Sequence, residues 1–199
     1  MEKLVLASNN SHKIKEFREL LKDREILSLK DIGFDCDIDE TGTTFLENAL
    51  IKAKTVQEYL KEKGIVAGVL ADDSGLCVNA LDGAPGIYSA RFAGGHGDSE
   101  KNRQKLLSLL ADKADRSAYF NCVIVWLFSN GSYIYSEGKT FGHITKEYHG
   151  DTSFGYDCLF YSDDLKKTFG ESSDDEKNSV SHRGRAIVGL LDKAKLFLG

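Results

Sequence analysis

Proline is almost missing from this chain: Pro85 stands alone among 199 residues, and methionine and tryptophan also occur once each. That leaves no proline-rich linker, and the 19 glycines punctuate the chain without forming a linker or a low-complexity tract. Long apolar runs are missing too. Nothing approaches the roughly 20 apolar residues a membrane span requires, and Met1-Glu2-Lys3-Leu4 reads as the start of a strand rather than a signal peptide. The expectation is a soluble, cytoplasmic chain with no membrane partner. An excess of positive charge is also absent. A net charge of -5 argues against a nucleic-acid partner, because backbone binders present a basic stripe. Any anionic ligand must therefore be met by a local cluster of cations. The four cysteines, Cys36, Cys77, Cys122 and Cys158, form no Cys-x-x-Cys, so neither a zinc site nor a disulfide framework is indicated and buried thiols are expected.

What is present suits a globular α/β chain. With 41% apolar and 29% charged residues it can bury one sizeable core, or two lobes sharing one. No repeat or boundary divides it, so residues 1–199 read as a single domain. Residues 3–7 predict a strand, followed by a polar turn and a helix with Ile14, Phe17, Leu20 and Leu21 at helical spacing. Residues 25–29 predict a second strand. A helix opens at Thr44, whose spacing to Glu47 makes a capping box, and its apolar stripe runs Phe45, Ala49, Ala53, Val56 and Leu60. Residues 65–71 predict a buried strand that ends in a polar loop, Asp72-Asp73-Ser74-Gly75, before 76–78 resume as extended chain. A helix over 99–110 follows, then a hairpin of 119–128 and 132–141 turning at Asn130-Gly131, and a closing helix over 181–198. Early alternation of strands and helices with a hairpin in the middle predicts a mixed sheet.

Four segments carry chemistry. Ser8-Asn9-Asn10-Ser11-His12-Lys13 joins a strand to a helix start, where backbone N–H groups and the helix dipole favour an anion; an ordinary N-cap turn with Asn10 or Ser11 as cap explains it equally well. Asp72-Asp73-Ser74-Gly75 ends a strand where α/β sheets face ligands. Alternation turns adjacent carboxylates to opposite sides, so one of them could share a hard cation such as Mg²⁺ with Glu40; a solvated acidic turn is the plainer alternative. Ser181 would cap the last helix and set His182 and Arg183 in its first turn, near Lys177. Cations are misplaced there unless an anion joins them, although pairing with Asp174, Asp175 and Glu176 would also account for them. The stretch 171–176 itself reads most simply as a solvated loop, with a lid beside Lys177 as the alternative. Ser153-Phe154-Gly155-Tyr156-Asp157 offers an aromatic face to stack on a base and an acid to read its edge, or else a core strand bulged at Gly155.

Together these segments resemble the inosine triphosphate pyrophosphatase family, hydrolases of non-standard purine nucleotides. The resemblance spans the chain: Ser8-Asn9-Asn10-x-x-Lys13 with Glu16, Glu40-Thr41-Gly42-x-Thr44-Phe45 with Glu47-Asn48-Ala49 and Lys52-Ala53, Ala71-Asp72-Asp73-Ser74-Gly75-Leu76, Gly83-Ala84-Pro85-Gly86-Ile87-Tyr88-Ser89-Ala90-Arg91, Phe154-Gly155-Tyr156-Asp157, and Glu176-Lys177 with Ser181-His182-Arg183. Cys158 departs from it, standing where the family commonly has proline, and Ser8 replaces a frequent threonine.

The resemblance implies an elongated, two-lobed α/β fold with a mixed, twisted sheet flanked by helices, a cleft between the lobes and usually a homodimer. It implies Asp73 as catalytic acid, serving as base or metal ligand, with Glu40 the other carboxylate near Mg²⁺. Ser8, Asn9, Asn10, Ser11, His12, Lys13, Lys52 and Ser74 would hold the triphosphate, and Lys177 would reach the nucleotide. Phe154, Gly155, Tyr156 and Asp157 with His182 and Arg183 would form the base pocket. The expected reaction converts ITP, dITP or XTP to the monophosphate and pyrophosphate, clearing damaged purines from the nucleotide pool. Two alternatives stay open from sequence: a related phosphohydrolase preferring pyrimidine or standard triphosphates, and a silent nucleotide-binding regulator.

Overall fold

Leu4–Leu6 (β1) is buried along its whole length and lies between two parallel neighbours, Ile26–Ser28 (β2) and Gly68–Val78 (β3), with Val5 opposite Leu27 on one side and Val69 on the other. This computed structural model describes residues 3–94 and 97–198, so the strand start expected at Met1 and Glu2 lies outside the described residues. Helices Ser11–Leu20 (α1) and Phe45–Glu62 (α2) connect these strands. After Ser99–Leu109 (α3) come Ser117–Leu127 (β4) and Tyr133–Ile144 (β5), then the short Phe160–Ser162 (β6) and Lys167–Thr168 (β7). Asp174–Val180 (α4) and His182–Leu198 (α5) follow. The seven strands form one sheet in the order β2-β1-β3-β4-β5-β6-β7, and β6 runs antiparallel to both β5 and β7. The sheet is mixed, as the alternation of elements predicts.

The chain divides into two compact units. One runs through Asp73 and adds Val123–Glu137 and the segment from Ala186; the other combines Ser74–Cys122 with Gly138–Arg185. Each has its own core.

In the first unit α2 begins where its sequence says it should. Thr44 Oγ1 accepts the Glu47 N–H at 3.1 Å, and the Glu47 carboxylate accepts the N–H groups of Thr43 and Thr44. Ala49, Ala53, Val56 and Leu60 are buried against Val5, Val69, Ala71, Val125 and Leu127. Burying the valine and leucine side chains stabilises the unit by about 1.5–3 kcal/mol each. The helix stops at Gly64, whose φ of 68° suits glycine, with the Ile65 N–H closing back on the Leu60 carbonyl at 2.8 Å. That turn leaves Ile65 and Val66 38% and 77% exposed, so β3 starts at Gly68 rather than at residue 65. In the second unit Leu76, Leu106, Phe120, Phe160 and Phe169 pack together, with the Phe120 and Phe160 ring centroids 4.7 Å apart.

Several expectations need correction. Asp72–Gly75 is no polar loop, because β3 continues through it and its acids find partners inside the fold. Segment 153–157 is a turn, not a bulged strand, with Gly155 at φ 50°. Stretch 171–176 is not a solvated loop. Glu171 caps a short 3₁₀ turn through Thr168, and Glu176 completes a capping box with Ser173 at the start of α4. There Asp174, Asp175 and Glu176 sit at a helix N-terminus, where negative charge is stabilised. The hairpin forms, but its turn differs: Gly131 alone takes positive φ, at 89°, and the Phe128 N–H meets the Ser132 carbonyl across three residues. Of the cysteines, Cys77, Cys122 and Cys158 are buried, whereas Cys36 is exposed.

Candidate active site

The first unit gathers the acids and two of the lysines. Asp72 and Asp73 are adjacent in β3 and have different partners, as strand alternation requires. Lys13 places its ammonium 3.0 Å from Asp72 Oδ2. Asp73 Oδ2 accepts from Asn48 Nδ2 at 3.0 Å, and its Oδ1 lies 3.9 Å from Lys52 Nζ. The same ammonium lies 2.7 Å from Glu40 Oε1. Asp73, Glu40 and Lys52 thus form one small cluster on three separate stretches of chain.

Electrostatics sets the two ends of this cluster apart. Burial opposes the charge on Lys52, but Asp73, Asp72 and Glu40 together outweigh it and raise its pKa. Burial likewise raises the pKa of Asp73; Lys52 and Lys13 pull it back, Glu40 pushes it further up, and it stays above the ordinary aspartate value. Both partners shift upward, which a simple ion pair would not do. Burial explains it: at Asp73 it outweighs the pull of Lys52, 3.9 Å away, and of Lys13, whereas at Lys52 the attraction of Asp73, Asp72 and Glu40 together outweighs it. A buried carboxylate with raised proton affinity is suited to accept a proton.

In the loop before α1, Asn10 Oδ1 accepts the Lys13 N–H at 3.1 Å and so caps the helix, while Ser8 Oγ accepts the Asn10 N–H. Asn9, Ser11 and His12 are exposed at this helix start. Among the described residues no group of three His, Cys, Asp or Glu side chains is arranged to hold a metal. Glu40 and Asp73 nevertheless flank one cationic position. That pair fits Mg²⁺, which takes one or two carboxylates and completes its shell with water and substrate phosphate.

The second unit gathers the residues expected around a base. Arg183, 1% exposed, donates from Nη2 to Ser74 Oγ at 3.1 Å. Ser181 Oγ accepts the Gly184 N–H and so caps α5, as expected. His182 is buried with its ring stacked 4.8 Å from that of Phe120. Lys177 binds Asp157 Oδ2 at 2.7 Å and lies 4.8 Å above the Phe154 ring. Glu176, one of the acids proposed to hold the cations of α5, pairs instead with Lys167. Tyr156 is turned into the core, and its hydroxyl donates to the Ser89 carbonyl at 2.9 Å. At Gly75 a methyl group would strike the Gly86 carbonyl oxygen and Ser89 Oγ. Only glycine admits this approach, in which Ser89 Oγ takes the Leu76 N–H and donates to the Gly86 carbonyl.

Residues 4–193 match the Ham1 family. The chain belongs to that family. A curated relative from Clostridium perfringens, named dITP/XTP pyrophosphatase, is 51% identical over 98% of both chains. Two solved Ham1 structures resemble the fold. The protein from Staphylococcus aureus is 39% identical with a TM-score of 0.84 over 98% of each chain. That from Coxiella burnetii is 40% identical with a TM-score of 0.84, covering 98% of this chain and 99% of its own.

Two residues of this Ham1 chain went unassigned in the sequence. Asn48 lies one turn before Lys52 on α2, and both are buried; polar residues at i and i+4 inside an apolar stripe are a readable signal. Arg103, 4% exposed, donates from Nη1 to the carbonyls of Thr152 and Gly155 and from Nη2 to Glu100, clamping the turn that presents Phe154 and Asp157. Nothing local to Arg103 announces that role.

Proposed function

We propose that this chain hydrolyses nucleoside triphosphates carrying a non-standard purine, ITP, dITP and XTP, to the monophosphate and pyrophosphate. The observation that carries the reading is the buried, proton-avid Asp73 beside Glu40 and Lys52, in a family whose relatives are named dITP/XTP pyrophosphatases. Residues 1–199 serve as one domain of a cytoplasmic enzyme, as composition suggests, and the enzyme works as a homodimer, as the family resemblance implies.

The chemistry follows from charge. A triphosphate brings several negative charges, and its cleavage depends mainly on positioning and neutralisation. Ser8, Asn9, Asn10, Ser11, His12, Lys13, Lys52 and Ser74 supply the phosphate grip. Glu40 and Asp73 would hold Mg²⁺, which when bound lends Lewis-acid stabilisation to phosphate oxygens. Asp73 orients a water and takes its proton as the water oxygen bonds to the α-phosphorus. The bond from that phosphorus to the bridging oxygen breaks, and pyrophosphate leaves with the electron pair.

Selectivity follows from the atom at purine carbon 6. Hypoxanthine and xanthine present an acceptor there, adenine an amino donor. Donors from Arg183 or His182 suit the former. Adenine leaves them unpaired in a buried setting, costing a few kcal/mol or a factor of about 10². Phe154 offers a stacking face, with Gly155, Tyr156, Asp157 and Lys177 shaping the pocket. Turnover of ITP in ¹⁸O-labelled water tests the site of attack. Label in the monophosphate is expected; label in pyrophosphate or orthophosphate would overturn the reading.

A further inference from the structure

Asn48 has no exposed surface and makes two hydrogen bonds that determine each other. Its Oδ1 accepts the Gly42 N–H at 2.9 Å, and its Nδ2 donates to Asp73 Oδ2 at 3.0 Å. The amide cannot be turned over. The Gly42 N–H can only donate, so it requires the oxygen; the Asp73 carboxylate can only accept, so it requires the nitrogen. Gly42 is pressed against this amide so closely that a methyl group in its place would collide with Asn48 Oδ1 and the Glu47 side chain. Gly42 is two residues from Glu40, so a single side chain ties the Glu40 segment to the Asp73 carboxylate.

We infer that Asn48 is a positioning residue: by holding Asp73 Oδ2 it fixes the carboxylate plane, so that Oδ1, on the Lys52 side, is the oxygen that meets the water. The inference rests on the assignment of Asp73 as base. It concerns orientation, because a general base works only within hydrogen-bond reach of its proton. A misplacement near 1 Å costs about 10² in rate.

The test uses isosteric exchanges in the full chain. Asn48→Asp keeps an oxygen toward Gly42 but turns a second carboxylate oxygen toward Asp73, so the pair repels. It should lower kcat on ITP by about 10²-fold while KM moves less than about threefold. It should also lower Tm while the Gly42 amide stays protected from hydrogen exchange. In Asn48→Asp/Asp73→Asn the donor and acceptor are exchanged and the hydrogen bond can re-form, so Tm should recover while turnover stays lost. Asn48→Ala, which removes both bonds, should expose the Gly42 amide to exchange and also lose kcat. If Asp73→Asn alone keeps parental turnover, the assignment of the base fails. If Asp73→Asn is inactive but both Asn48 variants, folded by their melts, keep parental kcat, the positioning role alone is overturned.

Discussion

The Lys177 ammonium lies 2.7 Å from Asp157 Oδ2, with only 10% and 11% of the two side chains exposed. The family resemblance implies separate tasks for these residues, one reaching the nucleotide and the other shaping the base pocket. The structure joins them in one buried ion pair. Breaking such a pair strands a charge. Lys177→Met should destabilise the protein by about 3–5 kcal/mol, and adding Asp157→Asn should restore most of that loss. Urea denaturation of both variants checks it; equal stability of Lys177→Met and parent contradicts it.

With Asp73 as the proposed base, activity and stability are linked through pH. Burial raises its pKa above the aspartate value of 3.8, so the folded state holds this proton more tightly than the unfolded chain. The stability contribution of the proton is complete below the unfolded pKa and is lost as pH rises through the raised folded value. Asp73→Asn cannot ionise and escapes that loss. In chelator, its Tm should gain on the parent's as pH rises above the aspartate value of 3.8, while turnover falls about 10²–10⁴-fold. A Tm difference that stays flat or shrinks over that rise contradicts the assignment of buried charge.

Gly75 is a steric requirement. A methyl group there meets the Gly86 carbonyl, which is backbone and cannot swing aside. Gly75→Ala should cost about 1–3 kcal/mol or more and should disturb the Ser89 bridge to the Leu76 N–H. Thermal melts measure the loss, and unchanged stability would show that the backbone relaxes freely.

Arg103 holds the base-side turn by two carbonyl oxygens while remaining buried. Lysine has one ammonium and cannot reproduce the planar fork. Arg103→Lys should therefore raise KM for ITP by about tenfold and narrow the preference for ITP over ATP, with kcat less affected. Equal losses in kcat and kcat/KM would place its effect on the chemical step instead.

What could be read from the sequence was what neighbouring residues decide. The Thr44 and Glu47 capping box needs only local spacing, and it starts α2 as expected. The stripe from Ala49 to Leu60 likewise declares its buried face. Asp72 and Asp73 looked like a turn because adjacent acids usually seek water. Their partners, Lys13, Asn48 and Lys52, come from α1 and α2, and only folding brings them to β3. The acids from Glu171 to Glu176 misled for a related reason: capping is specified by where a serine or threonine stands, and Thr168 and Ser173 convert an apparent loop into helix starts. β6 and β7 have three and two residues, too few to show a period.

The most direct test of the whole account incubates the purified protein with Mg²⁺ and, separately, ITP, XTP, GTP, ATP and dUTP, scoring pyrophosphate against orthophosphate. The account predicts pyrophosphate and monophosphate from ITP and XTP, with kcat/KM about 10²-fold or more above that for ATP. Orthophosphate as the product, or ATP or dUTP turned over as well as ITP, would contradict it.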